Sequence, residues 1–338
     1  MPDPVLHLKA VCAAAGASAL VVLALGWRRR ICCAGRPVST TRVNFACVLA
    51  IGIGLALGSQ MLQLPLDWPP ASGLGRLLTI VMPAAIVIEL VAGFHRVPRW
   101  LAWSLRMGLA AAIGRVLLHG SVYLAGSPGQ WTTWQAGIAL AVSGALLAAQ
   151  WGLLIWLSEH RWGVSMPQAT SVTLALSLAG LCGGITVMMA GYVSGGEAAV
   201  PPAAALVGAT VGASLIAARG GEQGAIGIGV VGLFGLLFIG RFFGGLTTGR
   251  ALTVFLAPLM CWATELPMLR GRKPWRVCGL RMALVAIPLV VVLALAKRDF
   301  DREMRPLLGA VQIAAKNGPS HPRRPAEKTG WQDEQDRI

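Results

Sequence analysis

Charged residues are scarce in this 338-residue sequence, and acidic residues are the rarest of them. Asp, Glu, Lys and Arg make up 13% of the chain, and only 14 residues are acidic. A soluble protein of ordinary composition carries about 25% charged residues. The sequence therefore excludes an ordinary soluble domain, and it offers no aspartate-rich motif for phosphate chemistry.

Residues that bind metals are also few. There are five His and seven Cys, and no two cysteines have a metal-ligand spacing, since Cys32 and Cys33 are merely adjacent. An odd number of cysteines, placed mostly in or beside apolar runs, argues against a disulfide framework. No nucleophile motif and no pair of histidines for haem is present. We therefore expect no metal, no cofactor and no enzymatic activity.

Long apolar runs are what the sequence has in abundance. Hydrophobic residues make up 55% of the chain, and the mean hydropathy is +0.66. A helix needs about 20 apolar residues to cross a bilayer. We predict an all-α fold, a polytopic bundle of ten transmembrane helices that is embedded in lipid. The predicted spans are 10–27, 43–64, 77–94, 101–125, 137–158, 169–194, 203–218, 225–243, 251–269 and 279–297.

The net charge of +15 lies in short clusters between the apolar runs. Cytoplasmic loops of membrane proteins carry an excess of Lys and Arg, whereas a nucleic-acid binder would place these residues on one continuous face. The clusters, such as 28–42 and 270–276, fall in alternate loops. Because the first cluster follows the first apolar run, that run is a membrane span and not a cleaved signal. We predict a bacterial inner-membrane protein with both termini outside the cytoplasm and no nucleic-acid partner.

Four short segments of the sequence recur in the same order. The matching pairs are 50–54 and 225–229, 75–79 and 249–253, 89–90 and 265–266, and 105–107 and 280–282. The members of each pair are 174 to 176 residues apart, so spans 2–4 correspond to spans 8–10. An offset of six spans is even, so both copies run in the same direction across the membrane. We predict a parallel repeat with a first copy at 1–125, two intervening spans at 126–198, a second copy at 199–298 and a polar tail at 299–338.

The repeat selects two pairs of opposite charges. Glu89 in span 3 and Arg106 in span 4 are predicted at similar depth, and Glu265 and Arg281 occupy the matching positions in spans 9 and 10. A charge inside a bilayer is costly, so such residues pair with each other or serve a function. The two pairs either respond to protons or gate a pathway, or they only hold their hairpins together.

Three further polar residues lie deep in the predicted spans and outside the repeated pattern. Arg115 and His119 lie four residues apart in span 4 and share one helix face, while Gln150 lies in span 5. By the predicted span ends, Arg115 is near the bilayer centre, where it needs a water-filled cavity or a carboxylate. These residues are candidates for a substrate or ion pathway, although hydrogen bonding that is purely structural would also explain them.

Prolines and glycines mark the remaining features. Pro83 and Pro258 interrupt matching spans, and Pro288 interrupts span 10, so we predict a helix kink at each. Because proline has no N–H, the backbone carbonyl four residues earlier loses its hydrogen bond; for Pro258 this is the carbonyl of Val254. Broken helices line transporter sites, but prolines are also ordinary in membrane helices. The string Gly227-x-Gly229-x-x-Gly232 matches a dinucleotide fingerprint, but it lies inside an apolar span and follows no strand, so it indicates close helix packing instead.

These observations favour a permease for a small solute, with its site between the two copies. The alternative is a non-catalytic scaffold or assembly subunit of a larger membrane complex, with other membrane proteins as partners. An enzyme acting on lipids is a third, weaker interpretation, because no catalytic group is evident.

Overall fold

The computed structural model describes residues 4–32, 40–64, 67–94, 96–121, 123, 132–159, 168–216, 223–265 and 274–316. Within these ranges the protein is helical and has no β-strand. The α-helices of this part are α1 (Pro4–Cys32), α2 (Thr40–Met61), α3 (Gly73–Arg76), α4 (Met82–Ala92), α5 (Arg99–Leu117), α6 (Thr133–Glu159), α7 (Gln168–Met189), α8 (Val193–Glu197), α9 (Val200–Leu215), α10 (Gln223–Phe243), α11 (Thr248–Leu256) and α12 (Pro274–Lys316). A π-helical segment (Leu77–Val81) joins α3 to α4, and a 3-10 segment (Ala257–Glu265) continues α11.

Eight stretches of helix in the described residues are long and apolar enough to cross a membrane. They are Pro4–Gly26, Thr41–Met61, Gly73–Ala92, Trp134–Glu159, Thr170–Met189, Val193–Leu215, Gln223–Phe243 and Arg276–Glu303. The chain is therefore a membrane protein built as a helical bundle, as the composition predicts. The other two predicted spans correspond to α5, which contains three arginines, and to the shorter apolar helix Thr248–Ala263. The count of ten crossings stays a prediction.

The chain divides into two compact units, residues 1–296 and 297–338. In the second unit, the described residues belong to the last part of α12, where Lys297 Nζ lies 4.0 Å from Asp301 Oδ2, one helical turn away. Both side chains are exposed, and such surface pairs add little stability. Residues 317–338 of the predicted polar tail lie outside the described part.

Helix α10 is the central helix of the first unit. Almost every residue from Gly224 to Gly240 is buried, and the helix contacts α2, α4, α6 and α7. Its sequence is apolar on all sides, which is typical of a helix surrounded by protein. Glycines let neighbouring helices approach its backbone closely.

Helices α1, α2 and α9 form a second tightly packed group in the same unit. At Gly208 on α9, an added Cβ would collide with the backbone carbonyl of Ala15 on α1. Between α1 and α2, the Ser18 hydroxyl donates to the carbonyl of Ala50 at 2.9 Å. Small residues at these contacts bring the helix backbones together, which is how apolar helices associate in lipid.

Two of the three predicted proline kinks coincide with changes of helix type. The π segment ends directly before α4, in which Pro83 occupies the first turn, and the 3-10 segment begins one residue before Pro258. Proline has no N–H to continue the α-helical bonding pattern, and π and 3-10 turns accommodate this loss. Pro288 differs, because α12 continues as an α-helix on both sides of it.

Candidate functional site

A buried ion pair joins α4 to α5. Nε of Arg106 donates to Oε1 of Glu89 at 2.9 Å, and its Nη2 donates to Oε2 at 2.7 Å. Glu89 is completely buried, and only 8% of Arg106 is exposed. Two parallel bonds between a guanidinium and a carboxylate form the strongest arrangement available to these groups. The structure thus brings together two residues whose pairing the sequence predicts.

The hairpin geometry explains this contact. Helix α4 ends at Ala92 and α5 begins at Arg99, so the two helices run in opposite directions from a short connection. Glu89 lies about one turn before that connection and Arg106 about two turns after it. The long arginine side chain spans the remaining difference in depth.

Two tryptophans and a glycine enclose the pair. The guanidinium carbon of Arg106 lies 5.3 Å from the ring centre of Trp103 and 5.8 Å from that of Trp151, both within range of cation–π attraction. The indole Nε1 of Trp151 is buried beside the carboxylate, although no described group meets it with normal hydrogen-bond geometry. The Glu89 carboxylate and this indole nitrogen both lie against the α10 backbone at Gly227. The ion pair therefore contacts four helices, α4, α5, α6 and α10, rather than one hairpin.

The second predicted pair is described only in part. Arg281 on α12 is buried, with 3% of its surface exposed, and its Nη1 donates to the hydroxyl of Ser171 on α7 at 2.9 Å. Glu265 is the last residue of the 3-10 segment, and its side chain lies outside the described part. The pairing of Glu265 with Arg281 therefore stays a prediction. Ser171 is a partner that the sequence did not indicate.

Gln150 has a specific partner at the break before Pro258. Its Nε2 donates to the backbone carbonyl of Phe255 at 2.6 Å, and both groups are buried. In a 3-10 helix a carbonyl accepts from the N–H three residues later. For Phe255 that residue is Pro258, which has no N–H. Gln150 therefore caps the carbonyl of Phe255. The sequence, interpreted with α-helical spacing, predicts a free carbonyl at Val254 instead. Gln150 stabilises the broken helix from α6.

We expect Gln150→Leu to lower the free energy of unfolding by about 1–3 kcal/mol, because it leaves a buried carbonyl without a donor. In a Pro258→Ala background the same substitution should cost clearly less, because the introduced alanine supplies an N–H of its own. Thermal or chemical unfolding in detergent micelles measures both costs. An equal cost in the two backgrounds would contradict this explanation.

Arg115 and His119 lie away from the ion pair. Helix α5 ends at Leu117, eight residues before the predicted end of the span, and the chain turns at Gly120, whose φ is +69°. Glycine adopts such a conformation readily and ends helices for this reason. Arg115 is therefore in the last turn of α5 and not near the middle of a longer helix, so the predicted span end at 125 is wrong. The depth of Arg115 in the bilayer stays a prediction. The side chains of both Arg115 and His119 are exposed, and Arg76 donates to the backbone carbonyl of His119.

Asn44 is a buried polar residue that sequence reasoning missed. Its Oδ1 accepts a hydrogen bond of 2.7 Å from the backbone N–H of Gly224, in the first turn of α10. The first N–H groups of a helix have no partner inside that helix. Asn44 thus fixes the start of the central helix to α2. A single Asn near the start of an apolar span was the only signal in the sequence.

A small cavity lies where both predicted copies meet the intervening helix α7. It measures about 30 Å³ and is bounded by the π segment and α4 on one side and by α7, α9 and α10 on the other. Leu77, Met82, Leu206, Gly229 and Gly232 are among its lining residues, and all the lining residues are apolar. We refer to it as the central cavity. Its volume suffices for about one water molecule.

Comparison with protein families and curated proteins assigns no role to these features. No family model matches the chain, and no curated protein resembles it. Among the described residues, no three His, Cys, Asp or Glu side chains are grouped so that they could hold a metal ion. The candidate site thus consists of the Glu89–Arg106 pair and the central cavity, and its interpretation rests on their geometry.

Proposed function

We propose that this protein is a permease for a small solute, with the present structure in a closed state. The observation that carries the proposal is the central cavity, which lies at a break in a membrane helix. The π segment and Pro83 interrupt this helix beside the cavity, and Gly229 and Gly232 of α10 form the opposite wall. Interrupted helices beside a cavity deep in the membrane are typical of transporter sites.

The Glu89–Arg106 pair acts as the barrier on the cytoplasmic side in this proposal. Gly227, which contacts the carboxylate, lies two residues before Gly229 at the cavity wall, a rise of about 3 Å along α10. The pair is thus between the cavity and the start of α10, which the arginine-rich loops assign to the cytoplasm. Opening would require the carboxylate to leave the α10 backbone. Glu265 and Arg281 would form the matching gate of the second copy.

The proposed solute is small and uncharged, because the lining of the central cavity is apolar. Arg115 and His119 would act at the outer mouth, where the exposed end of α5 is close to Arg76. The parallel repeat, the bacterial inner membrane and the outer location of both termini are parts of the same proposal. In support of the repeat, each copy contains a helix broken at a proline, followed by a helix with a buried arginine.

The proposal predicts that water reaches the cavity wall when the permease opens. Met82 is 1% exposed and lines the central cavity. In a chain whose native cysteines are replaced by alanine, Met82→Cys should react with a small charged thiol reagent. We expect a rate of about 0.1–10% of that at an exposed cysteine, the usual population of a minor conformation. The rate is measured in membranes by the mass shift of the protein.

Two matched positions calibrate this experiment. Trp68→Cys provides the exposed reference, since 77% of Trp68 is exposed, and Leu154→Cys provides a buried position on α6 that does not line the cavity. Leu154→Cys should not react on the same timescale. If Met82→Cys reacts no faster than Leu154→Cys, the wall does not open and the permease proposal fails.

The alternative function is a scaffold or assembly subunit of a membrane complex. One observation favours it: α10 is buried along nearly all its length, and the central cavity beside it measures only about 30 Å³. A scaffold needs no open state, so it predicts that Met82→Cys stays protected. It also predicts that the protein is purified together with other membrane proteins.

A further inference from the structure

A second, larger cavity opens at the surface of the first unit. It measures about 760 Å³ and lies between α1, the start of α2, the end of α4 and the residue that follows α9. This volume is within the range of about 300–1,000 Å³ that is typical of small-molecule sites. Leu25, Arg42, Phe45, Phe94, Arg96 and Ile216 are among its lining residues. We call this cavity the arginine groove.

The wall of the arginine groove is apolar and partly exposed. Phe45 and Phe94 meet edge to face with ring centres 5.9 Å apart, and 36% and 54% of their surfaces are exposed. Leu25 on α1 adds a third exposed apolar side chain, at 46%. Exposed apolar groups of this size at the end of membrane spans are suited to contact with hydrocarbon chains rather than with water.

Two arginines give the groove a positive charge. Arg42 is in the first turn of α2, and Arg96 follows α4; both line the groove and both are exposed. The positive end of the α2 helix dipole also lies there and adds to the positive potential of Arg42. Guanidinium groups bind phosphate through two parallel hydrogen bonds. An apolar wall with arginines at the end of membrane spans is complementary to an anionic lipid.

We propose that the arginine groove binds an anionic phospholipid. An acyl chain lies along Leu25, Phe45 and Phe94, and the phosphate group contacts Arg42 and Arg96. Basic pockets between membrane helices on the cytoplasmic side bind anionic head groups in this way. The groove is formed by the ends of α1, α2 and α4, so the lipid would link these helices. This site does not depend on the proposed transport activity.

Native mass spectrometry of the full-length protein in detergent tests the proposal. Phosphatidylglycerol and phosphatidylcholine with identical acyl chains are added in equal amounts, and the bound lipid is counted. We expect the protein to retain phosphatidylglycerol in preference to phosphatidylcholine. Each arginine near the head group should contribute about fivefold to this preference. Arg42→Gln with Arg96→Gln should therefore lower the preference about 25-fold, while Arg42→Lys with Arg96→Lys should keep most of it.

A matched control separates the groove from general surface charge. Arg99 is exposed, lies three residues from Arg96 and does not line the groove, so Arg99→Gln should leave the preference unchanged. Equal binding of both lipids to the unaltered protein overturns the proposal, as does an unchanged preference in the double Gln variant. A loss of preference in Arg99→Gln would also overturn it. Glycerol 3-phosphate carries the charge without acyl chains, and effective competition by it would indicate a phosphate site and contradict a lipid site.

Discussion

Glu89→Leu and Arg106→Met should each lower the free energy of unfolding by about 3–5 kcal/mol, because each leaves one buried charge without its partner. Replacing both residues together should cost less than either replacement alone, because no uncompensated charge then remains. The pair is bidentate and buried among Trp103, Trp151 and α10, so water cannot readily replace the missing partner. Unfolding in detergent micelles, followed through the four variants of a double-mutant cycle, measures the coupling.

Arg115→Met is the control for this prediction. Arg115 is on the same helix as Arg106, but its side chain is exposed in the last turn. Substitutions at exposed positions usually change stability by no more than about 0.5 kcal/mol. The unfolding free energies lost in the two single variants could simply add in the double variant. In that case the carboxylate and the guanidinium do not stabilise each other, and the proposed cytoplasmic barrier has no support.

The sequence was sufficient to predict the membrane-embedded helical class and the positions of most helices. The predicted spans 43–64 and 225–243 correspond to Thr40–Met61 and Gln223–Phe243. Apolar runs are limited by bilayer thickness, so hydropathy predicts their centres well. The pairing of Glu89 with Arg106 was also predictable, because a short connection between antiparallel helices sets the depth of both residues.

The end of α5 and the contact of Gln150 could not be predicted. The sequence placed Arg115 near the bilayer centre, because hydropathy alone carries the span past Leu117 to residue 125. The helix ends earlier, before the turn at Gly120. The φ angle of a glycine cannot be predicted from its place in an apolar run, because glycine adopts positive and negative φ about equally readily. Likewise, hydropathy assigned Gln150 a possible role in a pathway. Only the contact between α6 and the 3-10 segment connects it with the carbonyl of Phe255.

The glycines of α10 illustrate the same limit. From the sequence, Gly227, Gly229 and Gly232 all indicate close helix packing and are otherwise equivalent. In the fold, Gly227 faces the Glu89 carboxylate, Gly229 faces the side chains of Leu176 and Leu206, and Gly232 faces Met82. A repeated pattern of glycines predicts close approach, but the neighbour that approaches is decided by the tertiary arrangement.

Gly227→Ala should therefore destabilise the protein, by about 1–3 kcal/mol for overpacking. The added Cβ would collide with Oε1 of Glu89 and would lie 2.6 Å from its Cδ and 2.9 Å from Nε1 of Trp151. The gain of about 1 kcal/mol from the higher helix propensity of alanine is too small to offset this. The carboxylate would have to move, and its bidentate contact with Arg106 would weaken with it.

Gly232→Ala, five residues further along α10, should have the opposite sign. Its Cβ would lie 3.5 Å from Cε and Sδ of Met82, which is an ordinary contact with a flexible side chain. The propensity gain then remains, so we expect an unchanged or slightly raised unfolding temperature. In a Glu89→Leu, Arg106→Met background, Gly227→Ala should still collide, but it should no longer weaken a charge pair. A smaller loss in that background than in the unaltered protein would show that the packing of Gly227 and the ion pair form one unit; an equal loss would mean that the glycine serves packing alone.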